Sequence, residues 1–180
     1  MEIERKFTIK TLPADLESYE KRELEQGYLC TSPVVRVRKS VKQGKTNYIL
    51  CYKSKLGLEQ KADATAQVCR EEELPLSKEA YEKLLSKVDG RVITKTRHLI
   101  PYDEYTIELD VFGGELTGLV FAEVEFPDEE AAAAFAAPAW FDKDVTFDDR
   151  FKNNKLALWK EAPEELKKMG KAEDKLLAQI

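Results

Sequence analysis

The sequence predicts an α+β chain dominated by antiparallel β-structure that closes into a barrel, with helices laid around the outside. Three observations predict it. Seven or eight segments read as strands, and five of them place two or three charges on one side with a period of two. Most connections between them are short and end in Gly, Pro or Asp, which favours antiparallel pairing. Within a strand the charges have mostly one sign, whereas a solvated face usually mixes signs with Ser, Thr and Gln.

Each element has its own signal. A short strand is expected at about 2–10 and a polar helix at about 13–26, with Pro13 near its start and Gly27 after its end. Strands follow at about 28–40 and 46–54. The stretch 55–64, KLGLEQKADA, is a loop by composition, and a strand covers about 65–74. Ser77 is the expected N-cap of a helix over 78–88, closed by the Asp89-Gly90 turn signal. Strands at about 91–100, 104–112 and 117–126 come next. Pro127-Asp128 then opens an alanine-rich helix over 131–137, AAAAFAA. The stretch 143–147 has the pattern of a short strand. Beyond 150 the chain reads as helical, broken at Pro163.

Composition bounds the function. The chain has 180 residues, 43% of them hydrophobic, which suits one domain with a real core. Its 29 basic and 34 acidic residues leave a net charge of −5, against a nucleic-acid binder held by phosphate contacts. No run of about 18 apolar residues occurs, so no membrane helix is expected. The start, MEIERKF, is charged and unlike a secretory signal. Three widely spaced cysteines without a CxxC pair suggest a reduced, cytoplasmic setting. The only histidine is His98, which removes zinc-protease and three-histidine chemistry, so a metal must be held mainly by carboxylates.

The charged parities are specific. Glu2, Glu4 and Lys6 share a strand face, opposite Ile3 and Phe7. Arg36 and Arg38 share another, as do Lys95 and Arg97, Glu108 and Asp110, and Glu123 and Glu125. Apart from Lys95 and Arg97, each set lies opposite apolar residues. A solvated sheet face is the bland reading. If helices cover the apolar side of a closed barrel, the charges point inward instead. Such an interior is costly to leave unmatched and suits a polyanion with a divalent cation. By parity His98 falls outside.

These residues resemble the CYTH superfamily, the triphosphate tunnel metalloenzymes. Glu2-Ile3-Glu4-Arg5-Lys6 matches its ExExK signature. Tyr28-Leu29, VRVRK (35–39), Lys53, TKTR (94–97), ELDVF (108–112), LTGLVFAEVEF (116–126) and VTFDDRFKNNKLA (145–157) follow in the family's order. The short signature alone is weak; the ordered series is strong. It covers residues 1–157 as one domain and leaves 158–180 as a C-terminal helical extension that packs on it or joins copies as a homodimer.

The resemblance implies an eight-stranded barrel forming a tunnel and a cytoplasmic enzyme that takes a small-molecule triphosphate or polyphosphate, with no nucleic acid and no membrane. It implies Glu2 and Glu4 as ligands of Mg²⁺ or Mn²⁺, helped by Glu123 or Glu125. Lys6, Arg36, Arg38, Lys53, Lys95, Arg97 and Arg150 would cradle the phosphates, and Glu108 and Asp110 would be further tunnel carboxylates near a second metal or the attacking water. At Arg70-Glu71-Glu72-Glu73 three consecutive acids leave the register open; Arg70 with Glu72 is preferred to Glu71 with Glu73. Arg150 has an alternative partner in Asp148 or Asp149. The activity implied is metal-dependent hydrolysis of inorganic tripolyphosphate, as in small bacterial triphosphatases. A class IV-type adenylyl cyclase, a thiamine or nucleoside triphosphatase, and a polyphosphate-binding module without turnover are the alternatives.

Overall fold

A computed structural model of the chain describes residues 1–158. The strands are β1 (Glu2–Ile9), β2 (Glu20–Thr31), β3 (Val34–Lys42), β4 (Lys45–Ser54), β5 (Gln67–Pro75), β6 (Asp89–Tyr102), β7 (Tyr105–Phe112), β8 (Val120–Glu125) and β9 (Phe141–Asp144). The helices are α1 (Lys78–Leu85), α2 (Glu129–Ala134) and α3 (Asn153–Leu158). The extension expected over 158–180 lies, from residue 159 onward, outside the described residues.

Hydrogen-bonded strands run β5-β4-β3-β2-β6-β7-β8-β1-β9, and β1 also pairs with β5. That last pairing, Glu2 opposite Cys69 and Glu4 opposite Gln67, closes β1–β8 into an antiparallel barrel. Closure leaves the barrel strands paired on both sides and removes the exposed edges of an open sheet. The ninth strand, β9, adds to β1 beyond its contact with β5.

The apolar parity of β1, β7 and β8 faces outward. Phe7, Ile107, Leu109, Ala122 and Val124 are buried there beneath Ala132, Phe135 and Phe141 of the α2–β9 region. The charged parity therefore faces inward. A second cluster has the inward parity: Phe112 and Phe121 stand two residues from Asp110 and Glu123, and pack with Tyr28, Ile93, Phe151 and Leu156. The segment around α3 thus plugs part of the interior with apolar side chains. Burying each large side chain is worth about 1.5–3 kcal/mol.

The expected cap is present, with Ser77 Oγ accepting from the Ala80 N–H at 3.1 Å, and Asp128, where the next helix opens, caps it by accepting through Oδ1 from the Ala131 N–H at 2.7 Å. The alanine-rich helix ends early, at Ala134, because Phe135 turns extended and enters the core. The polar helix expected over 13–26 is a correction. Only Leu16–Ser18 makes a helical turn, and β2 begins at Glu20. Glu, Lys and Leu favour a helix locally, but β2 pairs with β3 on one side and β6 on the other, and that pairing overrides propensity. Gly27, expected after a helix, lies within β2. A Cβ there would come 2.7 Å from Val88 Cγ1, so the missing side chain lets the end of α1 approach.

Candidate active site

A cavity of about 1010 Å³ runs inside the barrel. Its wall is divided by charge. The arc β7–β8–β1 supplies Glu108, Glu123, Glu125, Glu4 and Glu2, and the arc β3–β2–β6 supplies Arg36, Arg38, Arg22 and Arg97. The division follows from strand parity once the register is set: Glu4 stands opposite Glu125, Lys6 and Glu108 opposite Glu123, and Arg22 opposite Arg97.

Ion pairs stitch the arcs where they meet. Lys6 Nζ lies 2.7 Å from Glu123 and donates to the Phe151 carbonyl at 3.0 Å. Arg97 grips Asp110 with two bonds of 2.7 Å, reaches Glu123 at 2.6 Å and also bonds Glu108. Such forked pairs fix both partners in orientation as well as charge. On the remaining side Lys53 Nζ binds both oxygens of Glu2, at 2.6 and 2.5 Å, and Glu71 at 2.9 Å. Two thiols complete this corner: Cys69 Sγ donates to Glu2 at 3.0 Å and Cys51 Sγ to Glu71 at 3.1 Å.

The basic arc is less well matched. Arg38 donates through Nε to neutral Gln26 at 3.2 Å, and Gln26 in turn donates to the Tyr28 hydroxyl at 2.9 Å. Burial, with Arg36 and Arg97 nearby, pulls Arg38 down to about 10. The Nε atoms of Arg22 and Arg36 are buried with no hydrogen-bond partner among the described residues. Buried donors without acceptors cost free energy that an anion would recover.

The acidic arc shows the complementary strain. Burial pushes Glu2 up to about 7, with Glu4 and Glu71 adding repulsion against the pull of Lys53. Glu125 is raised by burial and by Glu108 and Glu4. Glu123 stays well below the usual range because Lys6, Arg97 and Lys95 outweigh its burial. Glu4 and Glu125 face the cavity with no ion pair to a cation among the described residues, and Lys53 and Arg97 pull on Glu125 less than burial, Glu108 and Glu4 push it. Carboxylate oxygens of this kind fit a hard divalent cation. A second group, Cys51 Sγ with Glu71 and Glu73 oxygens, has its ligand atoms within 4.8 Å of one another.

The structure corrects several expected placements. In β5 the inward residues are Glu71 and Glu73; Arg70 and Glu72 are exposed and do not line the cavity. Pairing of Glu71 with Lys53 and Glu73 with Cys51 sets that register. Lys95 and Asp110 have inward parity but lie behind the cavity surface, bonded to each other and covered by Arg97. Arg150 also stands apart from the lining, with Nε 3.0 Å and an amino nitrogen 2.6 Å from Asp148 on the surface. Lys6, Arg36, Arg38, Lys53, Arg97, Glu2, Glu4, Glu108, Glu123 and Glu125 do line it. His98 is buried outside the barrel, near Leu16 and Glu17.

Sequence reasoning missed Arg22 and Gln26, because β2 was read as helix; period-two alternation of Arg22, Leu24, Gln26 and Tyr28 was the available signal. It also missed the two thiols of inward parity, Cys69 lining the cavity and Cys51 buried behind it, which alternate with Glu71 and Lys53.

No family model matches the chain. An inorganic triphosphatase of Nitrosomonas europaea is 39% identical over 160 residues, covering 87% of this chain and 97% of that protein. An inorganic triphosphatase of Acetivibrio thermocellus is 42% identical over 86 residues, covering 48% of this chain and 53% of that protein. The crystal structure of the inorganic triphosphatase NE1496 superposes with a TM-score of 0.63 at 35% identity, covering 89% of this chain and 97% of that one.

Proposed function

The chain belongs to the inorganic triphosphatase family, and on that premise we propose that it hydrolyses a phosphoanhydride bond of inorganic tripolyphosphate held inside the barrel. One observation carries the reading: the two arcs of the cavity are oppositely charged, with four arginines, Arg22, Arg36, Arg38 and Arg97, lining the basic one. A triphosphate offers acceptors to them along its length.

Arg36, Arg38, Arg22 and Arg97 bind phosphate oxygens on one side, and Lys6 and Lys53 close on the chain from the other. Arg97 is held in place by Asp110, with Lys95 behind. Glu4 and Glu125 hold a divalent cation, Mg²⁺ or Mn²⁺ by the hardness of the oxygen donors, with Glu2 and Glu123 beside them. When bound, that cation neutralises phosphate charge and polarises the bond to be broken. Glu108, free to exchange its Arg97 contact for a water, orients the nucleophile, and the fixed cations stabilise charge moving to the leaving phosphate. The set Cys51, Glu71 and Glu73 is the alternative cation position, supported by the proximity of its ligand atoms.

Phosphate release from tripolyphosphate, pyrophosphate, ATP and thiamine triphosphate, each with Mg²⁺, Mn²⁺ or EDTA, tests the proposal. EDTA-sensitive release from tripolyphosphate with little from pyrophosphate is expected. Cyclic AMP from ATP, or tight tripolyphosphate binding without turnover, would replace this reading with a cyclase or a binding module.

A further inference from the structure

The cations of the cavity wall differ in what holds them. Lys6 pairs with Glu123, Lys53 with Glu2 and Glu71, Arg36 with Glu71, and Arg97 with Asp110, Glu108 and Glu123. Arg38 has no carboxylate partner among the described residues. Its Nε donates instead to the amide oxygen of Gln26 at 3.2 Å. Gln26 stands directly opposite Arg38 across the β2–β3 ladder and is fully buried.

The amide can point only one way. A guanidinium donates and cannot accept, so the Gln26 oxygen must face it. The amino group then faces the buried Tyr28 hydroxyl, to which it donates at 2.9 Å. Both ends of the side chain are engaged, and its conformation is fixed. A carboxylate of the same shape would grip Arg38 harder, since charge-assisted bonds are about twice as strong as neutral ones. It would also cancel the charge that a phosphate meets. The want of a counter-charge shows in Arg38 itself, which burial first, and then Arg36 and Arg97, pull down to about 10. A neutral clamp orients the guanidinium and leaves it short of an anion.

We propose that Gln26 is a positioning residue for Arg38: its amide fixes the guanidinium at the cavity wall while leaving the positive charge to substrate phosphate. The inference rests on the triphosphatase reading and adds to it a residue that does not itself touch the substrate.

The test sets stability against binding in two variants, Gln26→Glu and Gln26→Met, through melting temperature and through kcat and KM for tripolyphosphate with Mg²⁺. Gln26→Glu supplies the missing counter-charge, so its melting temperature should be no lower than that of wild type. Its KM should nevertheless rise about tenfold, the worth of one hydrogen bond to a charged group. Its kcat should change by less than about threefold, because Arg38 holds substrate before and during the reaction alike. Gln26→Met keeps the length and loses the clamp, so stability and affinity should fall together. A merely structural glutamine would lose affinity only as far as it loses stability. Gln26→Glu with a wild-type KM, with a lowered melting temperature or with no folded state overturns the proposal, as does Gln26→Met with a wild-type KM. A fall in kcat at constant KM would place the effect on the reacting groups and also overturn it. If wild type hydrolyses no tripolyphosphate, the functional reading fails separately. The clamp is then read from the rise in melting temperature that tripolyphosphate gives to wild type, which Gln26→Glu should lose; no rise, or equal rises, overturns it.

Discussion

Lys53 on β4 holds both carboxylate oxygens of Glu2 on β1, at 2.6 and 2.5 Å, across the strand β5 that lies between them. The contact bridges the shortest seam of the barrel, where β1 and β5 share only the pairs from Glu2 to Glu4. The same ammonium binds Glu71 at 2.9 Å, so one cation serves two partly buried acids.

Replacing Lys53 with Met leaves Glu2 without its cation and Glu71 with only Arg36, at 3.4 Å. Breaking a largely buried pair by removing one partner costs about 3 kcal/mol, less here because the side chains retain some exposure. A fall in melting temperature of about 4–8 °C is expected. Mg²⁺ should recover more of that loss in the variant than it adds to wild type, because it supplies the missing positive charge. Thermal unfolding with Mg²⁺ or EDTA checks both points; a variant as stable as wild type would show that the seam does not depend on this pair.

Glu4 and Glu125 sit opposite each other on β1 and β8, facing the cavity. Substituting Gln for Glu4 keeps the shape and removes one charged oxygen ligand. Turnover of tripolyphosphate should fall by about 10²-fold or more, and the Mg²⁺ concentration for half-maximal rate should rise. Steady-state kinetics across a Mg²⁺ series measure this. Full activity at limiting Mg²⁺ would remove Glu4 from the cation site.

Asp110 answers two buried cations, Arg97 and Lys95. Asp110→Asn should therefore destabilise strongly, by about 3–5 kcal/mol, since both cations lose their shared counter-charge. Lys95→Met should cost far less, because Arg97 alone still neutralises Asp110 through two hydrogen bonds. Urea midpoints order the two variants; Lys95→Met proving the worse would reverse the assignment of which cation compensates Asp110.

Lys95 also predicts a pH effect. Burial, together with Arg97 and Arg38, pulls its pKa from 10.5 down to about 8, while Asp110 pulls the other way. Between those values the unfolded chain holds the proton and the folded chain has released it, so stability rises with pH through that window. The gain is about 3 kcal/mol at most. The buried thiols Cys51 and Cys69 oppose it above their ordinary value of 9.0, being pushed up to about 11 and 12. The difference between wild type and Lys95→Met isolates the lysine: it should shift in favour of wild type from about pH 8 to 10.5. A difference that stays flat would mean Lys95 remains charged in the fold.

The strands whose alternation is clean are legible in the chain alone. In β1, β3, β7 and β8 the inward and outward residues follow from a period of two, which is a local property of extended chain. The ordered motifs carried the family, and the cap at Ser77 was local chemistry as well. Tertiary structure decided the rest. β2 is a strand because β3 and β6 pair with both its edges, against its helical propensity, and only with that change does Arg22 line the cavity and Gln26 stand behind Arg38. Glu71 rather than Glu72 points inward because Lys53 stands opposite it, and three consecutive acids carry no parity of their own. Parity also cannot measure depth: Lys95 shares its face with Arg97, yet Arg97 reaches the cavity and Lys95 is sealed behind Asp110. Direction along a strand is written in neighbouring residues, whereas register and depth arise from partners far away in the chain.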